Sequence, residues 1–548
     1  MYDLKRNVSI RSIINATICI ISIASCSKPR IEVDQIVSAP RVYICNETFE
    51  TAEAFAITDG RVVAYGSKDE IHEKYTSENT LESEGTIFPG FIDAHSHFYG
   101  YGLTLNKVHL RNTVSMDNII QRLQEYAQTN TEPWITGRGW DETNWEEKGL
   151  ISNNMLNAYF PNTPVFIKRI DGHSGLANNK ALELAGVTPT TTVEGGEIGT
   201  MGGRLNGLLM DNAMNLIDDI IPDPSRKTEI SALLKAQKNC LKAGLTCVTD
   251  AGLDLNTILL IDSLQKTGDL SIRVYAMCNP NEENFNYFER NGPISTDLLQ
   301  VSSFKIYADG SLGSRGAKLK SSYCDHENYT GIWVTEPSDI DQLCKRANNI
   351  GFQVNTHCIG DSANRRVLEI YSKYLKEKND KRWRIEHAQV VSPVDRELFE
   401  KYSIIPSVQP THATSDMVWA EKRLCGDRMT GAYAYKSLLA LNGYIPLGTD
   451  FPVEEIAPLN TYFAAVHRQN HSYEPLEGFL MDEALSPSEA ILGMTHWAAR
   501  GNMMDDRIGS LDSGQLADFV ILDQDITKEK YMLRTKIKGA YLSGKAVK

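Results

Sequence analysis

Along the middle of the chain, short apolar runs end in polar or charged residues and alternate with stretches of helical periodicity. The runs are TIFPGFIDAHSH, TPVFIKRIDGH, LTCVTDAG, SSFKIYADGS, FQVNTHCIGD, WRIEHAQVV, SIIPSVQPTHA and YIPLGTDFPV; KTEISALLKAQKNCLKAG and SANRRVLEIYSKYLKEKN carry the helical spacing. Strand then helix, repeated, predicts a parallel α/β architecture, most simply a TIM-like (β/α)8 barrel. Both ends of the chain have another texture. RVYICNE and EAFAITDGRVVAYG alternate apolar and polar positions around Asp59-Gly60, a hairpin signal, and IGSLDSGQLADFVILDQD and KGAYLSGKAVK repeat that texture later. Residues 40–86 and 508–548 are therefore expected to form one small composite β domain, and residues 87–507 the barrel. An insertion within about 111–230 exceeds one β/α unit and is expected to cover the barrel mouth.

The first residues stand apart. Lys5, Arg6 and Arg11 precede the apolar run SIINATICIISI, and small residues then lead into a polar SKPR. The run is too short to span a bilayer, which needs roughly 20 apolar residues. A basic flank, an apolar middle and small residues before a break describe a secretory signal peptide over residues 1–25. Its Ile23-Ala24-Ser25-Cys26 ending resembles the lipobox of bacterial lipoproteins, which implies a lipid on Cys26, an exported chain tethered to a membrane of the cell envelope, and a linker over residues 26–39. A leader cleaved nearby without lipid, or a buried apolar segment, is the alternative.

Composition narrows the function. With 42% hydrophobic residues among 548, the chain is neither disordered nor a small disulfide-stapled module. Lys and Arg total 56 against 70 Asp and Glu, a net charge of −14, the wrong sign for gripping nucleic acid through its phosphates. The ten cysteines contain no C-x-x-C pair and show no disulfide framework, so most read as small buried hydrophobes.

Barrel active sites lie at the C-terminal ends of the strands, where the polar residues of the apolar runs fall. His95 and His97 are two apart on a strand and so point to one side, offering two ligands to one metal. His357 and His387 each end a later strand, and neutral imidazole is a preferred zinc ligand. Asp450 ends YIPLGTD, where a carboxylate can bind metal with one oxygen and act as general base with the other; capping the next helix is its other role. Lys305 is unusual, since an ammonium does not ligate a cation and burial disfavours its charge. As a neutral amine it could add carbon dioxide to form a carbamate; a salt bridge with Asp309 is the alternative.

Taken together, FPGFIDAHSHF, GRGWDETNW, DGHSGLANN, FKIYADGSLGSRGA, HCIGDSANRRVL, RIEHAQ, PSVQPTHATSD, LGTDFPVEEIAPL and GSLDSGQLADFVILD resemble, in order, segments of the metal-dependent amidohydrolase superfamily. Within it the chain resembles amidohydrolase family 3 and the branch of N-substituted formamide deformylases. The resemblance implies a distorted barrel with a composite β-sandwich domain made by both chain ends. It implies His95, His97, His357, His387 and Asp450 as ligands to two divalent ions, zinc preferred, bridged by a carbamate on Lys305. The expected reaction is hydrolysis of a non-peptide C–N bond, in an amide or an N-formyl or N-acyl amine, through a metal-bound hydroxide with Asp450 carrying the proton. Thr449 stands where the family more often has Ser, and the hydroxyl is kept.

The same resemblance gives His173 a hydrogen bond to the substrate carbonyl or leaving group, with Asp171 orienting it. Trp140 and Arg315 become candidate substrate contacts, against a core position and a helix-start salt bridge respectively. His412 becomes a residue near the mouth. Asp361 reads as an N-cap. Glu386 should face away from the metals, because its neighbour His387 faces them. His72, His109, His326, His467, His471 and His496 have no convergent partners and read as structural. Partners reduce to a small-molecule amide-type substrate and a membrane through the lipid on Cys26, with a homodimer left open. A one-metal deaminase and a lipid-tethered binding protein without catalysis are the competing functions.

Overall fold

The computed structural model describes residues 29–129, 132–146, 151–528 and 532–547. The expected leader and Cys26 lie outside the described residues. Among those described, no helix is long and apolar enough to cross a membrane.

Seven parallel strands form the central sheet, in the spatial order Phe91–Ser96, Leu245–Leu253, Arg273–Cys278, Leu299–Tyr307, Gln353–Cys358, Arg384–His387 and Ile405–Ser407. Nearly every residue of these strands is buried, as expected where side chains fill the barrel on one face and meet helices on the other. Residues 446–450 lie between the last strand and the first. Val408 donates to the carbonyl of Pro446, Ala94 to that of Leu447, and Asp450 donates back to the carbonyl of His95 at 2.7 Å. The sheet is thereby a nearly closed barrel, and the predicted helices Arg226–Lys242 and Asp361–Tyr371 are among those outside it. Asp361 does not cap its helix: its carboxylate accepts the Lys320 N–H at 2.8 Å instead.

Strands from both chain ends join in one mixed sheet, ordered Lys545–Ala546, Ile537–Leu542, Phe519–Leu522, Thr86–Pro89, Gln35–Tyr43, Thr51–Thr58 and Arg61–Gly66. The hairpin at Asp59-Gly60 forms as the sequence predicts, both residues taking positive φ of 51° and 72°. Period-two alternation sends Val37, Phe55 and Ile57 into one apolar cluster and Ile36, Ala54 and Ala56 into another.

The stretch expected as an insertion contains a sheet of its own. Its six strands run in the order Gly196–Met201, Arg204–Asp211, Ser174–Ala177, Val165–Arg169, Ile135–Trp140 and Val108–His109. The run TPVFIKRIDGH, read from sequence as one of the barrel-type strands, belongs here. A short buried strand has the same apolar signature in either sheet, and only its pairing with Ile135–Trp140 decides between them.

Six of the described cysteines are free and buried, as expected, but Cys324 and Cys425 form a disulfide. They lie 101 residues apart in sequence, a separation that offers no local signal.

Candidate metal centre

The first barrel strand delivers His95 and His97, and the residues beyond it are pinned by Asp93. That carboxylate, only 2% exposed, accepts the backbone N–H groups of His95 and Thr449 and, at 2.6 Å, the Thr449 hydroxyl. Asp93 thus fastens the segment carrying His95 to the segment carrying Asp450, which explains why a hydroxyl is needed before Asp450. Burial pushes the Asp93 carboxyl up to about 7.

Four imidazoles and two further side chains converge at this end of the barrel. The ring centroids of His357 and His387 are 4.5 Å apart, those of His95 and His387 4.8 Å, and those of His95 and His97 5.8 Å. Asp450 Oδ1 lies 3.2 Å from His97 Nε2 and 3.7 Å from His95 Nε2. Lys305 Nζ lies 3.2 Å from His95 Nε2, and its side chain is wholly buried. The structure therefore brings together every residue predicted as a ligand. His95, His387 and Asp450 can each direct one donor atom to a common point, with all three atoms within 4.8 Å of one another.

The electrostatics suit a cation. Burial holds the imidazoles of His95, His97, His357 and His387 below their ordinary pKa, that of His95 at about 4, so they are neutral with lone pairs to offer. Burial likewise brings the Lys305 amine down to about 8, against the partial pull of Glu386 and Asp450. His387 Nδ1 and Asp450 Oδ1 are buried without a hydrogen-bond partner. Orphaned donor atoms of this kind are costly in a protein interior unless something outside the chain satisfies them, and a divalent cation fits them.

A layer of hydrogen bonds holds the ligands. Glu386 Oε2 sits 2.5 Å from His95 Nδ1, which turns His95 Nε2 toward the centre, and Arg384 pairs with Glu386 from behind. This corrects the expectation that Glu386 faces away. Strand alternation ends at Glu386, because His387 and Ala388 both take left-handed backbone, with φ of 71° and 41°, and so both Glu386 and His387 point inward. His412 bridges Asp450 Oδ2 at 3.4 Å and Glu454 at 3.1 Å. Burial alone would lower its pKa, but Asp450 and Glu454 raise it to about 10.

The centre opens into a cavity of about 410 Å³ lined by His357, His387, His412 and Asp450 on one side and by Arg169, Asp171 and His173 on another. Arg169, almost wholly buried, is ringed by Asp141, Glu142 and Asp171. Asp171 does not bind the His173 ring as predicted. It accepts from Arg169 and from the Ser311 hydroxyl, both at 2.7 Å, and touches His173 only through its backbone N–H. The ring is held by Asp211, a residue without a motif to mark it, whose carboxylate lies 2.6 Å from His173 Nδ1.

Two predicted substrate contacts do not reach the cavity. Trp140 is 2% exposed, packs in the apolar cluster of the second sheet and donates its indole N–H to the carbonyl of Ile167. Arg315 pairs with Asp325 at 2.8 Å, the salt-bridge alternative.

Comparison with known proteins supplies the context. The model of a family described as an amidohydrolase family, Amidohydro_3, matches residues 83–547. Protein LONG AFTER FAR-RED 3 of Arabidopsis thaliana is 31% identical over 93% of this chain and 91% of its own. N-substituted formamide deformylase of Arthrobacter pascens is 24% identical over 89% of this chain and 94% of its own. The crystal structure of a metal-dependent hydrolase from Pyrococcus horikoshii OT3 superposes with a TM-score of 0.74 at 26% identity, covering 91% of this chain and 99% of that one.

Proposed function

Given that the chain belongs to the amidohydrolase family, we propose that it is a metal-dependent hydrolase of a non-peptide C–N bond in an amide or an N-formyl or N-acyl amine. The observation that carries this reading is the convergence of His95, His97, His357, His387, Lys305 and Asp450, drawn from distant segments, with orphaned donor atoms at their centre. The likeness to N-substituted formamide deformylase supports the bond type.

The four imidazoles, Asp450 and a carbamylated Lys305 would hold two zinc ions. Its burial and weakened basicity favour the neutral amine that carbon dioxide requires. Bound divalent metal supplies Lewis acidity toward the substrate carbonyl and brings the pKa of a coordinated water down to about 7. Asp450 Oδ1 faces the imidazoles, 3.2 Å from His97 Nε2, as the metal-side oxygen, and Oδ2 would take a proton and pass it to the departing nitrogen. His412 lies 3.4 Å from Oδ2 and fixes the aim of the carboxylate. His173 donates from Nε2 to the carbonyl oxygen as negative charge gathers there. Asp171 and Arg169 shape the opposite wall. We take the chain-end sheet as the accessory β-sandwich domain of this architecture.

We also propose that the chain is exported and acylated on Cys26; the Cys324–Cys425 disulfide accords with an oxidising compartment. Labelling with a radioactive fatty acid, lost in Cys26→Ser, tests the anchor.

The function is tested by elemental analysis, by intact mass under native conditions, and by a panel of N-acyl and N-formyl amines on the zinc-loaded protein. Two metals per chain, the added mass of one carbon dioxide lost in Lys305→Ala, and release of an amine and an acid support the reading. One metal with ammonia released from an aminated heterocycle would instead make the protein a deaminase.

A further inference from the structure

We infer that Asp211 is the positioning residue that aims His173 at the substrate. The inference rests on the role proposed above for His173. Strand Ser174–Ala177 runs antiparallel to Arg204–Asp211 with Ser174 opposite Met210, so the ladder's register sets His173 beside Asp211 at its end. The two are tied twice. The Asp211 N–H donates to the His173 carbonyl at 2.9 Å, and the carboxylate meets His173 Nδ1 at 2.6 Å. An ionised carboxylate only accepts, so Nδ1 carries a proton; in the imidazolium paired with Asp211, Nε2 carries a second and donates it into the cavity that His173 lines. The ring also lies 5.1 Å from that of His357, which places it at the edge of the metal centre.

The seat of the carboxylate is specialised. The Asp211 side chain is 1% exposed, and its backbone takes a φ of 47°, a region that residues other than glycine seldom adopt. A Cβ at Gly310 would lie 2.7 Å from its Oδ2, and one at Gly316 2.9 Å from the same oxygen. Both glycines belong to the loop that follows the Lys305 strand. The imidazole is thus supplied by the second sheet, and the slot that aims its partner by the barrel. Strained backbone persists where surrounding structure over-determines it, and such places cluster at functional sites. Among the described residues Oδ2 has no hydrogen-bond partner, and His173 is the one side-chain donor to the carboxylate.

A hydrogen bond that strengthens as charge develops on the carbonyl oxygen acts on kcat more than on KM. The test uses the zinc-loaded full chain and an N-acyl or N-formyl amine that it hydrolyses. Asp211→Asn and His173→Gln should each lower kcat by about 10- to 1,000-fold, with KM within about threefold and zinc content unchanged. The double variant should be no worse than His173→Gln alone. Both single variants should lose the same low-field Nδ1–H proton resonance, a readout that needs no substrate. Gly310→Ala keeps both side chains yet crowds the carboxylate, so it should reproduce the fall in kcat even if Asp211→Asn folds poorly.

An unchanged kcat in Asp211→Asn or Gly310→Ala beside an impaired His173→Gln would overturn the inference, as would additive losses in the double variant. Normal turnover in His173→Gln would instead overturn the role of His173 itself, a separate and recognisable failure.

Discussion

The two walls of the cavity are built by different sheets and held by different means. On the barrel wall, His95, His97, His357, His387, Lys305 and Asp450 stand at the ends of parallel strands or in the segment that closes them, with donor atoms left without hydrogen bonds. On the other wall, Arg169 is matched by Asp141, Glu142 and Asp171, and His173 by Asp211. The first wall is incomplete without a cation. On the second, each cationic group is already matched within the chain, one guanidinium by three carboxylates and one imidazole by a fourth. A wall of that kind presents shape and directed hydrogen bonds to a substrate. On the function proposed above, the difference assigns bond-breaking chemistry to the barrel and recognition to the second sheet.

Substitutions can break this division, the largest effect coming from the barrel wall. Asp450→Asn keeps a metal-binding oxygen but loses the base, and kcat should fall by about 100- to 10,000-fold with metal retained; near-normal turnover would reject the role. Glu386→Gln should weaken zinc binding about 10- to 100-fold, measured by competition with a chelating dye, because His95 loses the group that orients it. An unaltered affinity would show that Arg384 or Lys305 suffices to hold the ring.

On the recognition wall the expected effect is on stability. The charges of Arg169 and His173, with the Ser311 hydroxyl, hold the Asp171 carboxyl below its ordinary value despite burial, which acts to raise it. A lowered folded-state pKa adds stability that is fully present above the unfolded value of about 3.9 and is lost as pH falls through the folded one. Asp171→Asn should therefore flatten the acid side of the stability curve, followed by thermal unfolding from about pH 6 down to about pH 3. The smallest effect belongs to Arg315. Its partly exposed pair with Asp325 lies off the cavity, so Arg315→Gln should leave kcat/KM within about twofold. A large rise in KM would return it to the binding site.

The barrel wall was legible in the sequence for a geometric reason. A parallel barrel gathers the C-terminal ends of all its strands at one face, so His357, His387, Lys305 and Asp450 can be assigned to one place without knowing any contact. The same rule misled at Glu386, because it assumes unbroken alternation, and the left-handed backbone at His387 and Ala388 has no glycine to announce it. Asp211 was invisible because its partnership depends on the register between two strands far apart in sequence. Trp140 and Arg315 sit in segments of the right texture, yet side-chain direction turns one into a core and the other toward Asp325. The stretch expected as an insertion stood out by its length, but its six-stranded sheet did not, since pairing partners leave little trace in apolar runs.

The chain-end sheet has a bearing on how the molecule is made. Phe88 pairs with Val520, so one edge of the strand leading directly into the His95 segment waits for a partner far later in the chain, while its other edge meets Gln35–Tyr43 early. Contacts over so long a separation form slowly. The growing polypeptide thus carries one open strand edge until the Phe519–Leu522 segment emerges to cover it.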